Sequence, residues 1–186
     1  MSVFPVLNPR KIRFGPEIVV RASPLDPRRG ILVAGPLRLP CALGRSGIGW
    51  RKREGDGRTP LASMAVVSGF WRPGRARPAR CPLPLKPIRG RDGWCDAPGH
   101  AAYNRPVRLP FPASAEAMRR ADRLYDVVVV LDWNVRRRMR GAGSAIFLHV
   151  AKAGYAPTEG CIAVSRRDME RLAPLLRPGV RIDVRR

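Results

Sequence analysis

Apolar residues in this chain arrive in short runs, and 20 prolines and 18 glycines among 186 residues separate most of them. Proline withdraws a backbone donor and glycine weakens regular elements, so this punctuation favours brief strands joined by turns over long helices. Ile18-Val19-Val20 is the first strand candidate. Residues 30–43 read as a hairpin, with Gly30-Ile31-Leu32-Val33 turning through Ala34-Gly35 into residues 37–43. Residues 61–71 carry a further strand, with Val66, Val67, Phe70 and Trp71 as core candidates. Residues 125–131 are apolar enough for burial on both faces, and strands follow at 144–150, 160–164 and 180–184.

Two segments read as helices. Residues 115–121 are rich in alanine, with Ser114 placed to cap the N-terminus and Glu116 in the first turn. Residues 166–176 follow Ser165 as a second cap, and Met169, Leu172, Ala173 and Leu176 fall at i, i+3, i+4 and i+7. Pro178-Gly179 ends that helix. Residues 72–91 are dense in proline and arginine without periodicity and read as an extended loop. The expectation is a mainly β domain with two short helices over residues 17–186, preceded by a basic, Pro-rich arm over residues 1–16.

The formal charge of +22 would attract any polyanion. Nearly all of it is arginine, the lysines being Lys11, Lys52, Lys86 and Lys152. A basic nucleic-acid-binding protein is therefore the competing reading, supported by Arg136-Arg137-Arg138-Met139-Arg140. Against it stand the lack of a recognition-helix pattern and an aromatic content of 6%, too low for a stacking platform, so no specific nucleic-acid partner is expected. No apolar run approaches the roughly 20 residues that span a bilayer. The first 20 residues place prolines where the apolar core of a signal peptide would stand, and no export signal is read there. Cys41, Cys81, Cys95 and Cys161 match no zinc spacing, so neither metal nor cofactor is expected, while a disulfide among the first three stays open.

Only two histidines occur, His100 and His149. His100 sits in a loop and reads as solvated. His149 ends a buried strand twelve positions before Cys161, and Thr158-Glu159-Gly160 makes a tight turn into the strand that Cys161 begins. A thiol needs a base or a positive field to become a nucleophile, and His149 is the candidate base. Gly160 lets backbone approach a substrate closely, and amides at such a turn can hold an oxyanion. The second nitrogen of His149 then needs an acceptor, for which Asp126, Asp132 or a backbone carbonyl are all open.

His149 followed by Thr158-Glu159-Gly160-Cys161 resembles the active-site signature of the L,D-transpeptidase catalytic domain family, the YkuD type. Lys52-Arg53-Glu54-Gly55-Asp56-Gly57-Arg58-Thr59-Pro60 resembles the family's KxEGDGxTP segment, and Gly143-Ser144-Ala145-Ile146-Phe147-Leu148-His149 its strand into the histidine. Trp94-Cys95-Asp96 and Tyr103-Asn104 resemble one branch of it. The chain departs from the pattern at Glu159, where a histidine is usual, and at Ala163-Val164-Ser165, where Asn and Arg often follow the cysteine.

The resemblance implies an L,D-transpeptidase-like β-sandwich and acyl transfer on peptidoglycan stem peptides. Cys161 would be the nucleophile and His149 the general base. The Gly160 and Cys161 amides would hold the oxyanion, and the Val150 carbonyl would orient the histidine. Thr158 and Glu159 would contact substrate. It also implies a periplasmic or cell-envelope location. A family member that binds wall with little or no turnover is the remaining alternative.

Overall fold

The first apolar run folds as β1 (Ile18–Ala22), and the expected hairpin forms from β2 (Arg29–Ala34) and β3 (Leu37–Ala42), paired from Ala34 opposite Leu37 to Arg29 opposite Ala42. The structure is a computed structural model that describes residues 17–75 and 77–186; the predicted arm over residues 1–16 lies outside the described residues. Two short strands, β4 (Ile48–Gly49) and β5 (Thr59–Pro60), bracket the charged Lys52-to-Arg58 loop. β6 (Ser63–Trp71) is long enough to serve two neighbours along one edge. Alternation along β6 turns Met64 and Val66 inward, so Val67, expected in the core, is exposed. The irregular 72–91 segment contains one added strand, β7 (Leu85–Pro87), parallel to β6.

A separate three-stranded sheet consists of β8 (Asp92–Cys95), β9 (Arg105–Arg108) and β10 (Ala115–Ala117). The helix predicted over residues 115–121 therefore does not form. Glu116 pairs instead with Trp94 across an antiparallel ladder, and Ser114 accepts the Asp96 amide through its backbone carbonyl rather than capping a helix. Alanine propensity is worth tenths of a kcal/mol per residue, and pairing with the edge of β8 outweighs it.

β11 (Val127–Leu131) is buried at every position. Val127, Val129 and Leu131 enter the main core, whereas Val128 and Val130 join a second cluster with Trp94, Met118, Tyr125 and Phe147. The remaining elements are β12 (Phe147–Val150), β13 (Ile162–Val164), helix α1 (Arg166–Leu172) and β14 (Arg181–Arg185). Ser165 caps α1 as expected, its hydroxyl accepting the Asp168 amide, and a 3-10 turn at Ala173–Leu175 carries Leu176 into the core. One of the two predicted helices is thus present.

The main sheet runs β11-β12-β13-β3-β2-β1-β14-β6-β7, and β6 also pairs with β11, so the sheet folds round on itself about the core. β14, late in the sequence, sits between β1 and β6. All four cysteines are free thiols.

Candidate active site

β12 and β13 are parallel, with Leu148 opposite Ile162 and His149 opposite Ala163. Leu148, Ile162 and Val164 pack into the main core, so the alternate residues Phe147, His149, Cys161 and Ala163 share the other face. His149 and Cys161 are diagonal neighbours on that face, and both line a cavity of about 510 Å³. This is within the size range of small-ligand sites.

His149 is 3% exposed. Its Nδ1 lies 2.8 Å from the Val150 carbonyl oxygen. A carbonyl only accepts, so Nδ1 carries the proton and Nε2 keeps its lone pair. The two aspartates left open by the sequence are engaged elsewhere: Asp126 pairs with Arg166, and Asp132 accepts the Ala65 amide. Tyr125 stands edge-on to the imidazole at 5.4 Å. Burial pushes His149 down to about 4, opposed by the Val150 hydrogen bond.

Cys161 is half-buried, its thiol 3.2 Å from the Ala145 carbonyl oxygen and 3.4 Å from the Phe147 amide that donates to it. Burial pushes the thiol up to about 12, with the Glu116 carboxylate adding to the rise and the Phe147 amide opposing it. The resting pair is therefore neutral imidazole and thiol. Ala145 holds a left-handed φ of +50°, rare for a residue with a Cβ. Asn104 explains how it is kept: its side-chain oxygen accepts both the Ala145 amide and the Trp94 indole N–H, and its amide donates to the Trp133 carbonyl. These bonds fix the carbonyl that faces the thiol. In the sequence Trp94 and Asn104 resemble only marks of one branch of the family; their role as a brace behind Ala145 appears in three dimensions.

The turn before Cys161 is tied from both sides. Thr158 Oγ1 accepts the Gly160 amide at 3.2 Å and donates to the Cys161 carbonyl at 2.7 Å. Thr59 Oγ1, from the charged loop, accepts the Gly44 amide at 2.9 Å. Glu159, the departure from the family pattern, is exposed and pairs with Arg45 at 2.8 Å. Gly160 has φ of +131°, and a Cβ there would stand 2.7 Å from the Arg58 carbonyl oxygen. Gly160→Ala is expected to cost about 1–3 kcal/mol through strain. It should also displace the Cys161 amide. Thermal melting together with thiol-labelling rate checks both, and an unchanged melting temperature would count against the tight packing of this turn.

His100 lies apart from the site, its Nδ1 accepting the Ala102 amide and its ring edge-on to Phe111. The cavity also collects residues that sequence reasoning left without a role at the site: Glu54 from the charged loop, Asp96 after β8, Glu116 on β10, and Ser144. Tyr103 donates to Glu54, and Tyr125 donates to Glu116 at 2.7 Å. Their distance apart in sequence hid them, and only the misread β10 strand brings Glu116 to the cavity. Among the described residues, no helix is long and apolar enough to cross a membrane.

Residues 32–184 match the family model described as the L,D-transpeptidase catalytic domain, YkuD. No curated protein matches the chain. Among solved structures the chain is similar to L,D-transpeptidase 1 of Mycobacterium tuberculosis at 14% identity and a TM-score of 0.40, covering 91% of this chain and 62% of that one. It is similar to an L,D-transpeptidase from Mycobacterium smegmatis at 14% identity and 0.44, covering 92% and 60%. An L,D-transpeptidase from Mycobacterium tuberculosis H37Rv gives 15% and 0.43, covering 92% and 59%. The chain thus spans about three fifths of the length of these proteins.

Proposed function

Since the chain belongs to the L,D-transpeptidase catalytic domain family, we propose that it is a cysteine-dependent acyltransferase acting on peptidoglycan stem peptides in the cell envelope. The observation that carries this reading is the shared face of β12 and β13, which puts a base with a free lone pair and a thiol in one cavity.

Cys161 Sγ attacks the carbonyl of the peptide bond after the third stem residue, and its proton passes to His149 Nε2 as the S–C bond forms. The Val150 carbonyl holds the resulting imidazolium in place through Nδ1–H. The Cys161 amide faces the oxyanion, and the Gly160 amide joins it by exchanging its bond to Thr158 Oγ1. The C–N bond then breaks, and terminal D-alanine leaves with the proton from His149. An amine acceptor attacks the thioester, gives its proton to His149 and releases the thiol as a cross-link forms. Water in the same place yields carboxypeptidase activity. Thr158 shapes the turn beside the bound peptide, and Glu159 meets it at the rim. The arginine-rich surface adds a screened attraction to anionic wall polymers.

A second reading, wall binding with little turnover, draws on the thiol held up to about 12. Mass spectrometry after incubation with a carbapenem-type β-lactam separates the two. The expected result is a covalent adduct on the peptide that contains Cys161, absent from Cys161→Ala; an unmodified wild-type protein would support the second reading.

A further inference from the structure

The arginine run at residues 136–140 has no part in the chemistry of Cys161, yet the fold sets it against a second basic segment. The Glu54 amide donates to the Gly141 carbonyl at 2.9 Å. The buried Lys52 side chain packs so closely on Gly143 that an added Cβ would stand 2.9 Å from it. Residues 50–55 and 136–143 are thereby held side by side. Lys52 points inward while Trp50, Arg51 and Arg53 are exposed, and on the other loop Arg136, Arg137, Met139 and Arg140 are exposed.

Nothing nearby balances this charge. Among the described residues, no carboxylate pairs with the guanidinium of Arg51, Arg53, Arg136, Arg137 or Arg140. The acids of the first loop are engaged, Asp56 by Lys52 and Glu54 by Tyr103, and residues 133–143 contain none. The second loop is nevertheless firmly shaped. Asn134 and Arg138 hold left-handed φ of +52° and +47°. Asn134 Oδ1 accepts the Met139 amide at 2.8 Å, and its Nδ2 donates to the Met139 and Gly143 carbonyls, both at 3.0 Å. Like charges fixed this way repel one another, and an anionic partner relieves the repulsion.

The apolar residues among these arginines narrow the partner. Trp50 is 61% exposed and Met139 58%, although both are large and apolar. The Arg51 guanidinium stands 4.3 Å over the Trp50 ring and covers a face that a nucleic-acid base would need for stacking. At a bilayer interface the same groups are all accommodated. An indole settles at the level of the headgroups, a thioether reaches the acyl boundary, and arginines meet lipid phosphates.

We propose that residues 50–53 and 136–140 form one surface that docks the protein on a bilayer containing anionic lipid. Glu54 and Gly55 beside the first segment, and Ser144 and Ala145 shortly after the second, line the Cys161 cavity. The docked face therefore flanks the rim of that cavity and keeps its mouth near the lipid headgroups.

A chain of charge +22 is drawn to any anionic vesicle, so the experiment compares this surface with arginines elsewhere. The full chain is sedimented at physiological salt with vesicles of phosphatidylglycerol and phosphatidylcholine in equal parts. Arg136→Gln, Arg137→Gln and Arg140→Gln together should weaken binding about 10²-fold, at about fivefold per arginine. Arg38→Gln, Arg91→Gln and Arg167→Gln remove the same charge from exposed positions on other elements, and should weaken it less than about threefold. Vesicles should also shift tryptophan emission to the blue in the wild-type protein and not in Trp50→Ala. Equal losses in the two triple variants, or an emission shift that survives Trp50→Ala, would overturn the proposal. So would a first triple variant that binds vesicles normally but no longer binds soluble polyphosphate, since the partner would then be a free polyanion.

Discussion

Replacing His149 with alanine should slow acylation of Cys161 at neutral pH by about 10²- to 10⁴-fold, the usual worth of a positioned base. The pH dependence is the sharper part of the expectation. Burial holds the imidazole down at about 4 and the thiol up at about 12, an order opposite to that of a preformed thiolate–imidazolium pair. Between those values both groups stay neutral. The wild-type rate should rise through about pH 4 as His149 loses its proton, then run flat across the neutral range. The alanine variant has no base and depends on the thiolate fraction, so its rate should climb about tenfold per pH unit toward 12. Acylation by a carbapenem measured from pH 4 to 10 distinguishes the two. A bell-shaped wild-type profile with a limb near 8 would show a preformed ion pair instead.

The largest stability effect is expected at Asp56. Lys52 reaches Asp56 at 2.5 Å with its side chain 2% exposed, against 18% for the aspartate. Asp56 also accepts the backbone amides of Arg53 and Arg58, so one carboxylate ties both ends of the loop that carries Glu54. Asp56→Ala strands a buried ammonium and should cost about 3–5 kcal/mol in urea denaturation. Replacing both partners, as Lys52→Met with Asp56→Leu, should recover only part of that loss, because the buried ammonium is gone while the Arg53 and Arg58 amides still lack their acceptor. A single-variant loss below about 1 kcal/mol would mean that the pair behaves as a surface one. Burial pushes the Asp56 carboxyl up, but the Lys52 ammonium and the two amides hold it below its ordinary value of 3.8. Its folded value lies below the unfolded one, so its contribution is present above about pH 4 and fades as pH falls further.

The strands were legible because short runs of β-branched residues bounded by turn and polar residues leave little choice, as in residues 18–20 and 127–131. The His149–Cys161 pair was legible for a related reason: both lie at the ends of adjacent strands joined by one loop, so their spacing survives in the sequence. The same logic fails at Glu116. Its alanine neighbours favour a helix by a small margin, and only pairing with Trp94, more than twenty positions earlier, decides the outcome. Glu54, Asp96 and Ser144 carry no shared pattern, since a cavity wall assembled from distant segments leaves no period to read. The Asn104 brace and the approach of Gly160 to the Arg58 carbonyl are hidden for the same reason.

β14 is made after both His149 and Cys161, yet it lies between β1 and β6 within the sheet. A nascent chain that has just added Val164 already holds His149 and Cys161, but β1 and β6 still lack the strand that joins them. Contacts of such long range are slow to form, because loop closure must precede the gain from pairing. The sheet therefore closes only after β14 has been made, so its completion follows the addition of His149 and Cys161.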